Sequence, residues 1–216
     1  TDFTECLGLI CGNNSFQNSS SAVGSFESKF NQAISNGLTL EDKYYKRGDS
    51  LYAIVKGDTW EEAQENAKKL GGNLATINDK EENEWLIKEL YGNNKASSKL
   101  SQKLSLPGEP LRGTSIWLGH TNSKGNGKYE SISGDESVYN NWGPGELGDG
   151  IGKGEKYTML TLFDNYNRDP GMVGTVSNRQ FNTPQLRERG GAHLFYGLAE
   201  IKLNENLEIN EEQLNN

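Results

Sequence analysis

From residue 50 onward the apolar positions fall into short runs whose period switches between strand and helix. Ser50-Leu-Tyr-Ala-Ile-Val55, rich in β-branched and aromatic residues, predicts a strand. Thr59 with Glu62 fits a capping box, and Trp60, Ala63, Ala67 and Leu70 then recur at helical spacing until Gly71-Gly72 ends the helix. Leu74-Ala-Thr-Ile77 predicts a short strand. Asn78 or Asp79 can cap a second helix, with Glu81 and Glu82 near its positive end and Trp85, Leu86 and Leu90 on its buried face. Residues 93–115 are polar and turn-rich, as expected of a surface insertion. Ile116-Trp-Leu-Gly119 is apolar and expected to be buried. Short strands follow at Lys128–Ile132, Tyr157–Phe163, Gly174–Asn178 and Tyr196–Leu203, separated by Gly/Asn loops. Helices first and short strands afterwards predict an α+β fold, with two helices packed on a small antiparallel sheet.

The flanks differ from this pattern. Residues 1–37 hold seven Ser, five Asn and four Gly with little periodicity, a composition that buries little by itself. Phe3, Phe16, Phe26 and Phe30 interrupt it. We therefore expect residues 1–40 to be a polar N-terminal arm for attachment or assembly, residues 41–203 the folded domain, and 204–216 an acidic tail carrying four glutamates. The net charge of −8 argues against nucleic acid as a partner. No run approaches eighteen apolar residues, so no membrane insertion is expected, and Thr1-Asp2-Phe3 lacks the basic start of a signal peptide. Cys6 and Cys11 are the only cysteines. They either close a small N-terminal loop under oxidising conditions or stand as two thiols.

Candidate chemistry is sparse. His120 and His193 are isolated from each other, and the chain has no G-x-S-x-G, H-E-x-x-H or Walker-type motif, so no enzyme activity is expected. Arg47-Gly-Asp49 matches an integrin-binding tripeptide, but it abuts a predicted strand and carries little weight. Arg168, Arg179, Arg187 and Arg189 are four of the six arginines and have no lysine among them. Guanidinium groups so grouped suit planar carboxylates, sulfates or phosphates, unless Asp164, Asp169 and Glu188 pair with them.

The order of the motifs resembles a C-type lectin-like domain. Thr59-Trp-Glu-Glu-Ala63, Leu70-Gly-Gly-Asn-Leu-Ala-Thr-Ile77 and Lys80-Glu-Glu-Asn-Glu-Trp85 are similar to that family's first helix, following strand and second helix. Trp117-Leu-Gly-His120 stands where the family has a Trp-Ile-Gly-Leu core motif. Tyr139-Asn-Asn-Trp-Gly-Pro-Gly-Glu146 resembles the entry to its long ligand loop, and Gly197-Leu-Ala-Glu-Ile201 the closing strand of bacterial and cyanobacterial members. The resemblance covers about residues 50–203. It implies a non-enzymatic module, displayed outside the cell, on its surface or on a virion, that binds a glycan or protein ligand through its long loop region. A polar arm would join it to a larger assembly. The alternative is a structural or decoration subunit that uses the fold for protein contacts.

Two departures modify what the resemblance implies. The domain contains no cysteine, so the family's usual disulfides cannot form, as in disulfide-free prokaryotic members. Sugar-binding members carry Glu-Pro-Asn or Gln-Pro-Asp at the calcium site, whereas here Glu146 is followed by Leu147-Gly148, and Ser177-Asn178 stands in place of a later Asn-Asp pair. Calcium takes six to eight oxygens, several from carboxylates. The resemblance leaves Glu146, Asp149 and Glu155 as metal ligands of a weakened site. Asp149, Asp164, Asn165, Asn167 and Asp169 could alternatively build an oxygen cage elsewhere. The expected ligand-binding residues are Glu146, Asp149, Glu155, Asn178, Arg187 and Arg189, with calcium as the one cofactor to consider.

Overall fold

The computed structural model describes residues 13–91, 115–137, 139, 141–143, 156–162, 176–179 and 196–203, with backbone only for 13–22, 91 and 176–179. The described elements are α1 (Asn13–Ser35), β1 (Tyr45–Arg47), β2 (Ser50–Lys56), α2 (Trp60–Lys69), β3 (Asn73–Leu74), α3 (Lys80–Tyr91), β4 (Ser115–Thr121), β5 (Glu130–Ser131), β6 (Tyr157–Thr161), β7 (Val176–Arg179) and β8 (Tyr196–Lys202). Strands run in the order β1-β2-β8-β4-β6-β7, with β3 on β8 and β5 on β4. The α+β expectation holds. The sheet is antiparallel except at one junction, where β4 and β8 lie parallel at Trp117 and Gly197.

Alternation along the strands explains the layers. In β2, Leu51, Ala53 and Val55 face one cluster with Leu74, Trp117, Met159, Ala199 and Ile201, covered by Ala63, Ala67 and Leu70 of the α2 region. Tyr52 and Ile54 face the other cluster with Ile116, Leu118, Leu160 and Leu198, covered by Leu86 and Leu90 of α3. The sheet is thus buried on both faces, which is why its strands read as continuous apolar runs. Helix α2 starts as expected: the Glu62 amide donates to Thr59 Oγ1 at 3.1 Å, and the Asp58 amide donates to Glu62 Oε2 at 3.0 Å.

One expectation is corrected here. Residues 13–35 form a helix, and its Phe26, Phe30 and Ala33, spaced at four and three residues, sit in the first cluster at 2–4% exposure. Part of the stretch expected to be an arm outside the domain therefore belongs to its core. Polar composition concealed this, because only one stripe of the helix needs to be apolar. Residues 92–114, which contain nearly all of the expected insertion, and 204–216 lie outside the described residues, as do Cys6 and Cys11. None of the described helices is long and apolar enough to cross a membrane.

The Arg-Gly-Asp tripeptide forms the tip of the β1–β2 hairpin, with Arg47 paired to Ser50 and Gly48 at φ +55°. Arg47 is turned back onto Asp79, Nη2 to Oδ1 3.1 Å, and the Asp49 carbonyl accepts the Leu203 amide at 2.8 Å. The tripeptide ties the hairpin to α3 and β8.

Candidate functional site

The expected ligand face is framed by β4, β6 and β7. Tyr139 and Trp142 lead into it, half-buried against the second core cluster, with the Trp142 ring 4.9 Å from that of Tyr129. The chain re-enters the described structure at Lys156, whose carbonyl accepts the Asn122 amide at 3.0 Å. Trp60 and Tyr157 brace this end of the sheet: Trp60 Nε1 donates to the Leu118 carbonyl at 2.8 Å, and the Tyr157 hydroxyl donates to Glu61 at 2.8 Å.

Strand direction sorts the candidate residues. β4 and β7 both run antiparallel to β6, with Thr121 and Arg179 each opposite Tyr157. The end of β4, the start of β6 and the end of β7 therefore meet at one edge of the sheet. Asn178 lies at that edge, paired with Thr158. Residues 144–155 re-enter β6 there, and residues 180–195 leave β7 there; these segments carry Glu146, Asp149 and Glu155, and Arg187 and Arg189. Residues 163–175, with Asp164, Asn165, Asn167, Arg168 and Asp169, connect the opposite ends of β6 and β7. All of these except Asn178 lie outside the described residues, and Asn178 is described by its backbone alone. Among the described residues no group of three His, Cys, Asp or Glu could hold a metal ion.

A second polar centre, at the α3–sheet junction, escaped the sequence reading. Ser50 and Tyr52 on β2 are cross-strand neighbours of Lys202 and Glu200 on β8. Ser50 Oγ donates to Glu200 Oε1 at 2.8 Å, and Lys202 Nζ lies 2.6 Å from the same oxygen. The Tyr52 hydroxyl lies 2.7 Å from Glu82 Oε1 and 3.1 Å from Glu200 Oε1. Both carboxylates are buried, Glu82 at 2% and Glu200 at 5% exposure. On α3, the Glu82 amide donates to the capping Asp79, and Glu82 Oε2 accepts the Asn78 amide at 2.8 Å. The Asn78 carbonyl accepts the Ser137 hydroxyl, two residues before Tyr139. A continuous hydrogen-bonded path thus joins the buried carboxylates to the root of the 139–143 segment. One signal was available in the sequence: Glu200 interrupts the apolar run Leu198-Ala-Glu-Ile201, and a charge there requires a partner.

The electrostatics follow from these contacts. Burial pushes the Glu82 carboxyl up, more than the Asn78 amide and Tyr52 hydroxyl pull it down. Burial, with the charges of Glu200 and Glu82, pushes the Tyr52 phenol far above its ordinary range. Burial alone would lower Lys202, but the Glu200 bond and charge outweigh it and hold the ammonium above its usual value. Burial would raise Asp135; hydrogen bonds from Ser133 and Thr76, with the charge of Lys202, hold it low instead. His120 is lowered by burial, partly offset by Asp135. Removing the ammonium while keeping the stem, as in Lys202→Met, leaves Glu200 with a hydroxyl-only shell. We expect a loss of about 2–3 kcal/mol in chemical denaturation at neutral pH.

Residues 56–158, from the end of β2 into β6, match the family model of the lectin C-type domain, the family whose motif order the sequence resembles. A comparison with curated proteins finds no match. Among solved structures, the chain is similar to the cow C-type carbohydrate-recognition domain of CD23, at 19% identity over 73% of this chain and 91% of that one, with a TM-score of 0.48. It is similar to the carbohydrate-recognition domain of the mouse scavenger receptor C-type lectin at 18% identity, 74% and 93% coverage, and a TM-score of 0.49. Human lithostathine is similar at 14% identity, 74% and 96% coverage, and a TM-score of 0.49. At such identities the likeness by itself says nothing about what this chain binds.

Proposed function

We propose that the protein is a non-enzymatic recognition module that binds a glycan at the edge of the sheet where β4, β6 and β7 meet. The observation that carries this is topological. The segments bearing Glu146, Asp149, Glu155, Arg187 and Arg189 are rooted at the edge that also holds Asn178, within a domain matching the lectin C-type model. The similar CD23 domain was solved in the presence of a GlcNAc2Man3 oligosaccharide, and another similar structure is a complex with GlcNAc. A module of this kind acts outside the cell or at its surface, and a virion is the other setting the sequence suggests.

Calcium, where the domain holds it, would be carried by Glu146, Asp149 and Glu155, whose acidic oxygens are the donor type that ion takes. No part of the sugar-binding proposal depends on the ion. Because proline and asparagine are missing after Glu146, we expect any calcium affinity to be weak; micromolar affinity by calorimetry, abolished by Glu146→Gln, would contradict that. Binding of the full chain to a glycan array, with and without calcium, tests the function. Specific hits competed by the free sugar are expected, and silence from folded protein leaves the structural-subunit alternative. The arginines add an anionic preference: Arg187→Ala with Arg189→Ala should weaken retention on a sulfated polysaccharide, and unchanged retention removes that element.

A further inference from the structure

The polar centre at the α3–sheet junction plays no part in sugar binding as proposed above, yet its proton count is incomplete. Tyr52 has one hydroxyl hydrogen and stands within hydrogen-bond distance of two carboxyl oxygens, Glu82 Oε1 at 2.7 Å and Glu200 Oε1 at 3.1 Å. If both acids were ionised, that hydrogen could serve only one of them, and the other contact would set oxygen against oxygen with no proton between. The charges tell the same way. Two buried carboxylates, with Asp135 in the same field, would face the single ammonium of Lys202.

We propose that Glu82 keeps its proton in the folded protein at neutral pH, and that this proton latches the α3 N-terminus and Ser137 to the sheet. The Glu82 carboxyl donates to the Tyr52 oxygen, and the Tyr52 hydroxyl donates to Glu200 Oε1, which also receives Ser50 and Lys202. Every close contact then has one hydrogen, and these four groups together are neutral, one ammonium, one carboxylate, one carboxylic acid and one phenol, with Asp135 the remaining negative charge in their field. The 2.7 Å contact has the length of an O–H···O bond. Burial of Glu82 at 2% exposure favours its uncharged form. The groups acting on it are Tyr52 from β2 and Glu200 and Lys202 from β8; Asp79 at the α3 cap, with Arg47 of β1 upon it, accepts the Glu82 amide, and Asp135 from the 131–137 segment acts on Lys202. Only Lys202 and Arg47 are cationic, and each is paired with another acid.

The consequence is a pH-dependent latch. The folded state holds this proton more tightly than the unfolded chain, so the stabilisation is complete below the ordinary carboxylate range. It is lost as pH rises through the folded value of Glu82. Above that point, repulsion between Glu82 and Glu200 strains the Asn78–Ser137 link and so the root of the 139–143 segment.

Infrared spectroscopy of the full chain at neutral pH, with ¹³C in the glutamate side chains, reads the proton directly. The folded protein should show a carboxylic-acid carbonyl band that shifts with the label and disappears in Glu82→Gln. No such band in the unsubstituted protein, or one that survives in Glu82→Gln, overturns the proposal. Denaturation across pH gives the second readout. The unsubstituted protein and an exposed control, Glu84→Gln, should lose stability as pH rises from the ordinary carboxylate range through the folded value of Glu82, and Glu82→Gln should lose that dependence. Parallel profiles for all three overturn it. Should Glu82→Gln fail to fold, the labelled spectrum of the unsubstituted protein still decides whether an acid is present.

Discussion

Gly119→Ala should unfold this domain or bring it to the edge of unfolding. A β-carbon at position 119 would sit 2.1 Å from the Leu74 carbonyl oxygen, 2.9 Å from the Leu74 carbonyl carbon and 3.1 Å from Ile132 Cγ1. The first two neighbours are backbone and cannot swing aside. Gly119 is also where β4 changes partners: its amide donates to the Ala75 carbonyl at 2.8 Å, and its carbonyl accepts the Ile132 amide at 3.0 Å, beside the register break between Leu118 and Thr121. Relieving the clash must break at least one of these bonds. We expect a loss of about 4 kcal/mol or more, against a total stability of about 5–15 kcal/mol for a domain of this kind. Gly24→Ala is the matched control. Nothing lies within 4 Å of its added carbon, and alanine in a helix should raise stability by up to about 1 kcal/mol. Urea denaturation of both variants checks the pair, and a Gly119→Ala protein within 1 kcal/mol of the parent, roughly the scale of an ordinary substitution, would contradict it.

Phe30→Ala should cost about 3–5 kcal/mol, the range for truncating a buried aromatic ring. Phe30 is 3% exposed, stacks on Phe26 with centroids 5.4 Å apart, and meets Tyr44 edge-on at 5.4 Å; Phe26 meets Tyr44 at 4.9 Å. The Tyr44 hydroxyl donates to Glu27, so the ring that receives both phenylalanines is itself held by α1. Deleting residues 1–37 would remove Phe26, Phe30 and Ala33 from the first core cluster and uncover the ring of Tyr44. That deletion should therefore destabilise the domain, contrary to what a detachable arm would do. Thermal and chemical denaturation of Phe30→Ala and of the truncated chain measure this, and a truncated protein of unchanged stability would show that α1 is dispensable.

Much of this architecture could be read from the chain. The Thr59–Glu62 box, the 60-63-67-70 spacing and the Trp85-Leu86-Leu90 face gave α2 and α3 their place and buried sides, because each signal is local. What could not be read was set by partners distant in sequence. Helix α1 hides its core stripe among serines and asparagines, and its aromatics acquire meaning only opposite Tyr44 and β2. The parallel contact of β4 with β8 joins residues eighty positions apart, Trp117 and Gly197, and no local pattern announces it. The same holds for the polar centre, where Tyr52 and Glu200 look like ordinary strand residues until their register is known. At the ligand edge, the resemblance picked out Glu146, Asp149, Glu155 and Asn178, and the composition picked out Arg187 and Arg189. The strand directions added which of them share an edge.

Amide chemical-shift mapping of the full chain, titrated with the sugar that a glycan array selects, tests the location of binding most directly. Perturbations are expected at Thr121–Asn122, Lys156–Thr158 and Asn178–Arg179, where β4, β6 and β7 meet, and in the segments rooted there. Amides of α1, α2 and the β1–β2 hairpin should stay unmoved. Saturable shifts confined to those elements, with the β4–β6–β7 edge silent, would contradict it.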